Sequence, residues 1–304
     1  MFNRFGNMMP PTEYMERPYL MDREPFQIVG NLYYVGNEWC SSHLIDTGDG
    51  LILLDTPCAS SLPGLINNIW KLGFDLRDLK FIVISHAHTD HYGAVRALVH
   101  MTGAKTFLGE IDAAEMRNCA GRMEKMNREM GYYNELFDAD ILLKDGDHIQ
   151  LGNTDIQCVW TPGHTLGVMS HFWTLCHEGK ELRVGIYGGA GFVTVSKKAL
   201  EENGWPLSLQ DDFIRSIEKV WDEKVDIMLG NHPFHNDTYQ KHDRMLTNKE
   251  NPFIDAEEWH RFLTELKDKY NDFLKKTPEQ VGAMYAHSQM LNYYGDKHSI
   301  PKIV

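Results

Sequence analysis

Ser85-His86-Ala87-His88-Thr89-Asp90-His91-Tyr92-Gly93 follows directly on the apolar run Phe81-Ile82-Val83-Ile84. Four metal-capable side chains thus stand within six residues, at the end of what reads as a buried strand. Polar groups of this kind are costly at such a position unless something pairs them. A turn after a strand can aim several of them at one point. Imidazole is the commonest zinc ligand, and a carboxylate adds a harder oxygen. Two further histidines lie in turn-like settings downstream, in Thr161-Pro162-Gly163-His164-Thr165 and in Gly230-Asn231-His232-Pro233-Phe234. Alone, either would read as an ordinary loop or core residue. Together with the cluster they give five His and one Asp, enough for two metals with three protein ligands each. Three ligands leave a coordination position open for water, which is the arrangement of a catalytic rather than a structural site.

Working outward from the cluster, apolar runs alternate with turn residues and helical periodicity. Asn31–Val35, Ser42–Asp46 and Leu51–Asp55 read as short strands, the last two joined through Thr47-Gly48-Asp49-Gly50. A helix is expected from Leu62 to Leu72, with Leu65, Ile66, Ile69 and Trp70 on one face and Gly73 ending it. A second is expected from Gly93 to Met101, stopped by Gly103, and then a strand from Lys105 to Leu108. Glu110 to about Leu136 reads as an irregular helix carrying Met116, Met123, Met126 and Met130, a candidate lid. Strands follow at Ile149–Leu151 and Asp155–Trp160, and Val168–Cys176 pairs with Leu182–Tyr187 about Glu178-Gly179-Lys180. Helices at Lys197–Glu202 and Leu209–Trp221 precede a strand Asp226–Leu229 that delivers His232. Further helices are expected at Tyr239–Leu246 and Ala256–Leu274. The recurrence of strands, helix and strand in two halves suits two sheets packed face to face with helices outside. Every candidate ligand then lies just after a strand, so strand ends converge on one rim. Residues 1–24 read as an N-terminal arm, 25–246 as the main domain, and 247–304 as a helical extension packing on that domain or on a second subunit.

The 304 residues can bury a full core, and 42% hydrophobic with 24% charged residues is an ordinary globular composition. The formal charge of −13 argues against binding a phosphate backbone, so a nucleic-acid partner is not expected. No run approaches the roughly 18 apolar residues of a membrane span, and Met1–Glu24 lacks the apolar centre of a signal peptide. A cytoplasmic location is therefore expected. The five cysteines, Cys40, Cys58, Cys119, Cys158 and Cys176, form an odd set without CxxC spacing and read as free thiols. Cys58 follows the strand end Leu54-Asp55-Thr56-Pro57 and is a candidate to approach the site. Trp39 and Cys40 are candidates for one wall of a pocket, and Thr89 and Thr165 for groups that steady neighbouring ligands.

The HxHxDH motif, Gly163-His164-Thr165 and His232 after a strand resemble the metal-ligand motifs of the metallo-β-lactamase superfamily in order and context. Phe26-Gln27-Ile28-Val29-Gly30-Asn31-Leu32-Tyr33-Tyr34-Val35-Gly36 resembles the start of the third subclass of metallo-β-lactamases, whose second site is Asp, His, His. The likeness runs from about Pro25 to about Thr238. It implies an α+β four-layer αββα sandwich and a binuclear zinc hydrolase, with iron or manganese as alternative metals. It assigns His86, His88 and His164 to the first metal and Asp90, His91 and His232 to the second, with Asp90 also catalytic. The implied reaction is attack of a metal-activated water on a small-molecule carbonyl, in a β-lactam-like cyclic amide, a lactone or another acyl group. Ala190 stands near the position where glyoxalase II-like members carry a bridging Asp. Gly188 to Phe192 does not reproduce the Ser-containing, carboxylate-binding segment of the third subclass. The alternatives are a redox enzyme on the same scaffold, for which a bridging Asp and a Glu ligand are missing, and a non-catalytic metal-binding module. A homo-oligomer built through the C-terminal tail is a further expectation.

Overall fold

A computed structural model describes residues 17–118, 135–247 and 250–281. The residues expected to complete the Met-bearing helix, 119–134, lie outside this range, as do most of the N-terminal arm and the tail with Tyr285, Tyr293 and Tyr294.

Seven strands form the first sheet in sequence order: β1 (Phe26–Val29), β2 (Leu32–Tyr34), β3 (His43–Asp46), β4 (Leu51–Leu54), β5 (Leu79–Ile84), β6 (Lys105–Gly109) and β7 (Ile141–Leu143). Its first half is an antiparallel meander, and from β4 onward the pairing is parallel. Parallel neighbours need crossovers. These are α1 (Leu62–Lys71) between β4 and β5, then the short α2 (Thr89–Tyr92) and α3 (Val95–Thr102) between β5 and β6, with α4 (Glu110–Asn118) following β6. The second sheet runs β12-β11-β10-β9-β8, from β8 (His148–Leu151), β9 (Thr154–Trp160), β10 (Met169–His177), β11 (Lys180–Ile186) and β12 (Ile227–Leu229). The β10–β11 hairpin closes through Glu178 and Gly179, both at positive φ, a turn whose twist matches its strands. Between β11 and β12 run α5 (Lys197–Asn203) and α6 (Leu209–Lys219), and after β12 come α7 (Thr238–Met245) and α8 (Glu258–Leu274).

Alternation along the strands builds three apolar layers. Ile45, Ile52, Leu54, Val83 and Phe107 of the first sheet meet Ile156, Met169, Trp173, Val184 and Ile186 of the second. The opposite face of the first sheet, through Leu53, Ile82 and Ile84, packs on Leu65 and Ile69 of α1 and Val95 and Leu98 of α3. The outer face of the second sheet, through Phe172 and Met228, is covered by Phe213 and Ile217 of α6 and Trp259, Leu263 and Tyr270 of α8. Each such side chain contributes about 1.5–3 kcal/mol on burial, so the double-sided strands β4 and β5 are rigid supports for the loops that leave them. The architecture is the αββα sandwich expected from the sequence. Helix α8 forms part of its outer layer, and buried Lys241 of α7 pairs with Glu258 at its start. Among the described residues no helix is long and apolar enough to cross a membrane.

Candidate metal centre

All six sequence-predicted residues arrive at one end of the sandwich. His86 and His88 leave the end of β5, and Asp90 and His91 lie in α2 itself, so the expected turn is a single helical turn with His88 as its N-cap. His164 comes from the β9–β10 loop and His232 from the segment after β12. One donor atom each from His86, His88 and His164 lies within 4.8 Å of the others, and the same holds for Asp90, His91 and His232. Ring centroids in the first group are 4.6–4.8 Å apart. In the second group His91 and His232 are 5.0 Å apart, and the Nε2 atoms of both lie 3.8 Å from Asp90 Oδ2. His86 and His91, at 4.2 Å, join the two groups into one centre.

The rings are held from behind. His86 Nδ1 donates to the carbonyl of Gly188 at 2.9 Å, His164 Nδ1 to that of Gly191 at 2.5 Å, and His232 Nδ1 to that of Trp39 at 2.6 Å. His91 Nδ1 is 2.9 Å from Asp55 Oδ2. A carbonyl only accepts, so these bonds fix the Nδ1–H tautomer and turn the Nε2 lone pair toward the centre. His86 and His91 are 0% and 1% exposed, and the Nε2 atom of each is buried without a hydrogen-bond partner. An orphaned buried polar atom costs about 1–3 kcal/mol. Two of them facing inward from different groups are what a metal would satisfy, so the residues fit the ions that the donor set calls for.

A family model described as the metallo-β-lactamase superfamily matches residues 36–174. The metallo-β-lactamase GOB-18 from Elizabethkingia meningoseptica is 30% identical, with 89% of this chain and 97% of that one covered at a TM-score of 0.73. The chain belongs to the metallo-β-lactamase superfamily. Native FEZ-1 metallo-β-lactamase from Legionella gormanii superposes at a TM-score of 0.77 with 29% identity, covering 88% of this chain and 98% of FEZ-1. Two further solved relatives, BJP-1 of Bradyrhizobium japonicum and LRA-12 from a soil metagenome, are subclass B3 metallo-β-lactamases, in agreement with the likeness to the third subclass. Among curated relatives, a probable polyketide biosynthesis zinc-dependent hydrolase, PksB of Bacillus subtilis (strain 168), is 30% identical over 97 residues. That stretch is 32% of this chain and 36% of PksB, so the chain matches only about a third of that relative's length. These relationships place the chain among metallo-hydrolases with a divalent-metal centre.

Within this superfamily centre, electrostatics divide the two groups. Burial pushes His86 and His164 well below the ordinary imidazole range and His88 and His232 down to about 4, which keeps these rings neutral. Burial also pushes His91 down, but the carboxylates of Asp90 and Asp55 outweigh it and raise that ring. For Asp90, burial acts upward. The surrounding His91, His232 and His88 and the Trp39 N–H prevail and hold it well below the carboxylate range.

Two carboxylates escaped the sequence reading. Asp55, 5% exposed at φ +55°, accepts from Ser85 N and Ser85 Oγ, both at 2.7 Å, besides its contact with His91. Asp112 of α4 accepts from Ala87 N, Gly167 N and Thr165 Oγ1, and so ties the His86–His88 turn to the loop bearing His164. Thr165 therefore acts through Asp112. Buried Asp at the end of an apolar strand was the available signal for Asp55, and nothing local marks Asp112. Cys40 is no pocket wall. It is fully buried, with Sγ 3.6 Å from His91 Nδ1, because the chain turns inward after Trp39. Cys58 is buried as well.

Proposed function

We propose that the chain is a binuclear zinc hydrolase that opens a β-lactam-like cyclic amide, a lactone or a related acyl bond of a small molecule. His86, His88 and His164 hold one metal, and Asp90, His91 and His232 hold the other. The observation that carries this reading is the pair of three-donor groups in contact through His86 and His91. Two metals bound there supply Lewis acidity and a water acidified to near neutrality. The protein's own part is to keep His86, His88, His164 and His232 neutral, to turn the rings of His86, His91, His164 and His232, and to keep Asp90 charged. Asp90 Oδ2 faces His91, His232 and the Trp39 indole, which leaves Oδ1 to accept a proton from the attacking water. Overall, water adds across the acyl bond. A C–N or C–O bond breaks, the acyl carbon gains oxygen, and the leaving atom gains a proton. The half-buried Trp39 and the exposed Phe234, each packed against His232, form an apolar flank for the substrate.

Metal analysis of the purified protein is expected to give two zinc per chain, and chelation to abolish turnover. Against a panel of β-lactams, lactones, esters and thioesters, Asp90→Asn should lower activity about 10²–10⁴-fold. A metal-loaded protein that leaves the whole panel intact would refute the reading.

A further inference from the structure

Among the described residues, Trp39 is the one outside the six that touches two members of the same group by hydrogen bonds. Its indole Nε1–H donates to Asp90 Oδ2 at 2.9 Å, the oxygen that faces His91 and His232. Its backbone carbonyl accepts from His232 Nδ1 at 2.6 Å, and its ring meets that of His232 edge-on at 4.9 Å. The loop is built to hold it there. Asn37 Oδ1 accepts from Trp39 N at 2.9 Å and from Cys40 N at 2.8 Å. Tyr34 donates its hydroxyl to the Asn37 carbonyl, and Ser41 N donates to the carbonyl of Asn231, next to His232. Among the described residues no corresponding indole reaches the first group, in which His86 and His164 rest their outer nitrogens on the carbonyls of Gly188 and Gly191.

We infer that Trp39 is a positioning residue for the Asp90–His91–His232 site: its N–H fixes the ligand oxygen of Asp90 and thereby sets the metal affinity of that site alone. This rests on the metal assignment proposed above. A carboxylate free to rotate must be ordered when the ion binds, whereas one already held by a donor on a rigid loop need not be. Outer donors of this kind are typically worth about 10–100-fold in metal affinity.

The test is a zinc titration of the metal-free protein followed by nuclear magnetic resonance of the histidine rings. His86, His88 and His164 report one site, and His91 and His232 the other. Two variants remove the donor: Trp39→Phe, and replacement of Trp39 by benzothienylalanine, which keeps the size of the ring system and so the packing. In both, the His91 and His232 signals are expected to saturate at about 10–100-fold higher free zinc, with the first group unmoved. Unchanged or tighter binding at the second site in the benzothienylalanine protein would overturn the inference while leaving the metal assignment standing. A wild-type protein whose two ring groups do not respond to zinc overturns the assignment itself, and the inference with it.

Discussion

The two halves of the candidate metal centre are similar in shape and different in support. The first group consists of three imidazoles, two of them seated on main-chain carbonyls of the 188–191 segment. The second mixes two imidazoles with a carboxylate and depends on the side chains of Asp55 and Trp39 as well as one carbonyl. Backbone support is insensitive to substitution of the supporting side chain but intolerant of added bulk. Side-chain support is tunable one residue at a time. On the proposed metal assignment, the first group would be a fixed anchor and the second the half whose charge and affinity single substitutions adjust.

The largest effect that would test this contrast is Gly188→Ala. A Cβ there would lie 2.1 Å from the carbonyl oxygen of Met169, a backbone atom that cannot step aside. The Gly188 carbonyl that receives His86 and Asn231 must then move. A loss of about 3 kcal/mol or more in denaturant unfolding is expected, together with weaker metal binding at the first group. A stable variant with intact first-group binding would show that the anchor is not rigid.

Next in size is Asp55→Asn. The amide keeps an acceptor for Ser85 but loses the charge and an acceptor facing His91. Zinc affinity at the second group should fall about 10–100-fold, as read by competition with a chelator. Equal losses at both groups would erase the distinction drawn here.

The remaining contrast is acid–base. In the metal-free protein His91 should keep its proton to higher pH than the other four rings, with His88 and His232 titrating near 4. Depressed rings leave the unfolded chain holding more protons, so stability falls as pH drops from about 6.5 toward 4, by up to about 1.4 kcal/mol per unit for each ring. The raised His91 has the opposite sign: its contribution is complete below about 6.5 and is lost as pH rises through its folded value. Ring titration by nuclear magnetic resonance and unfolding as a function of pH check both signs. A His91 that titrates with the others would remove the charge asymmetry between the groups.

Strands bounded by turn residues were legible in β2 to β6 and β8 to β12, whereas Phe26–Val29, which forms β1, was not read as a strand. The short parallel edge strand β7 was not either, since Ile141 and Leu142 are exposed and carry no alternation. The HxHxDH run revealed the centre, yet its Asp90 and His91 sit on a helical turn where a plain turn was expected. Asp112 was invisible because its partners, Ala87, Thr165 and Gly167, are distant in sequence and meet only across the sheets.

By itself the sequence determined the layers and the donor set, because periodicity and residue chemistry are local properties. Tertiary structure alone decided which tautomer His86, His164 and His232 adopt, which oxygen of Asp90 is held, and that Cys40 turns inward while Trp39 faces Asp90 and His232. Those outcomes depend on carbonyls and carboxylates brought within about 3 Å by strand pairing and loop packing, and no spacing along the chain encodes them.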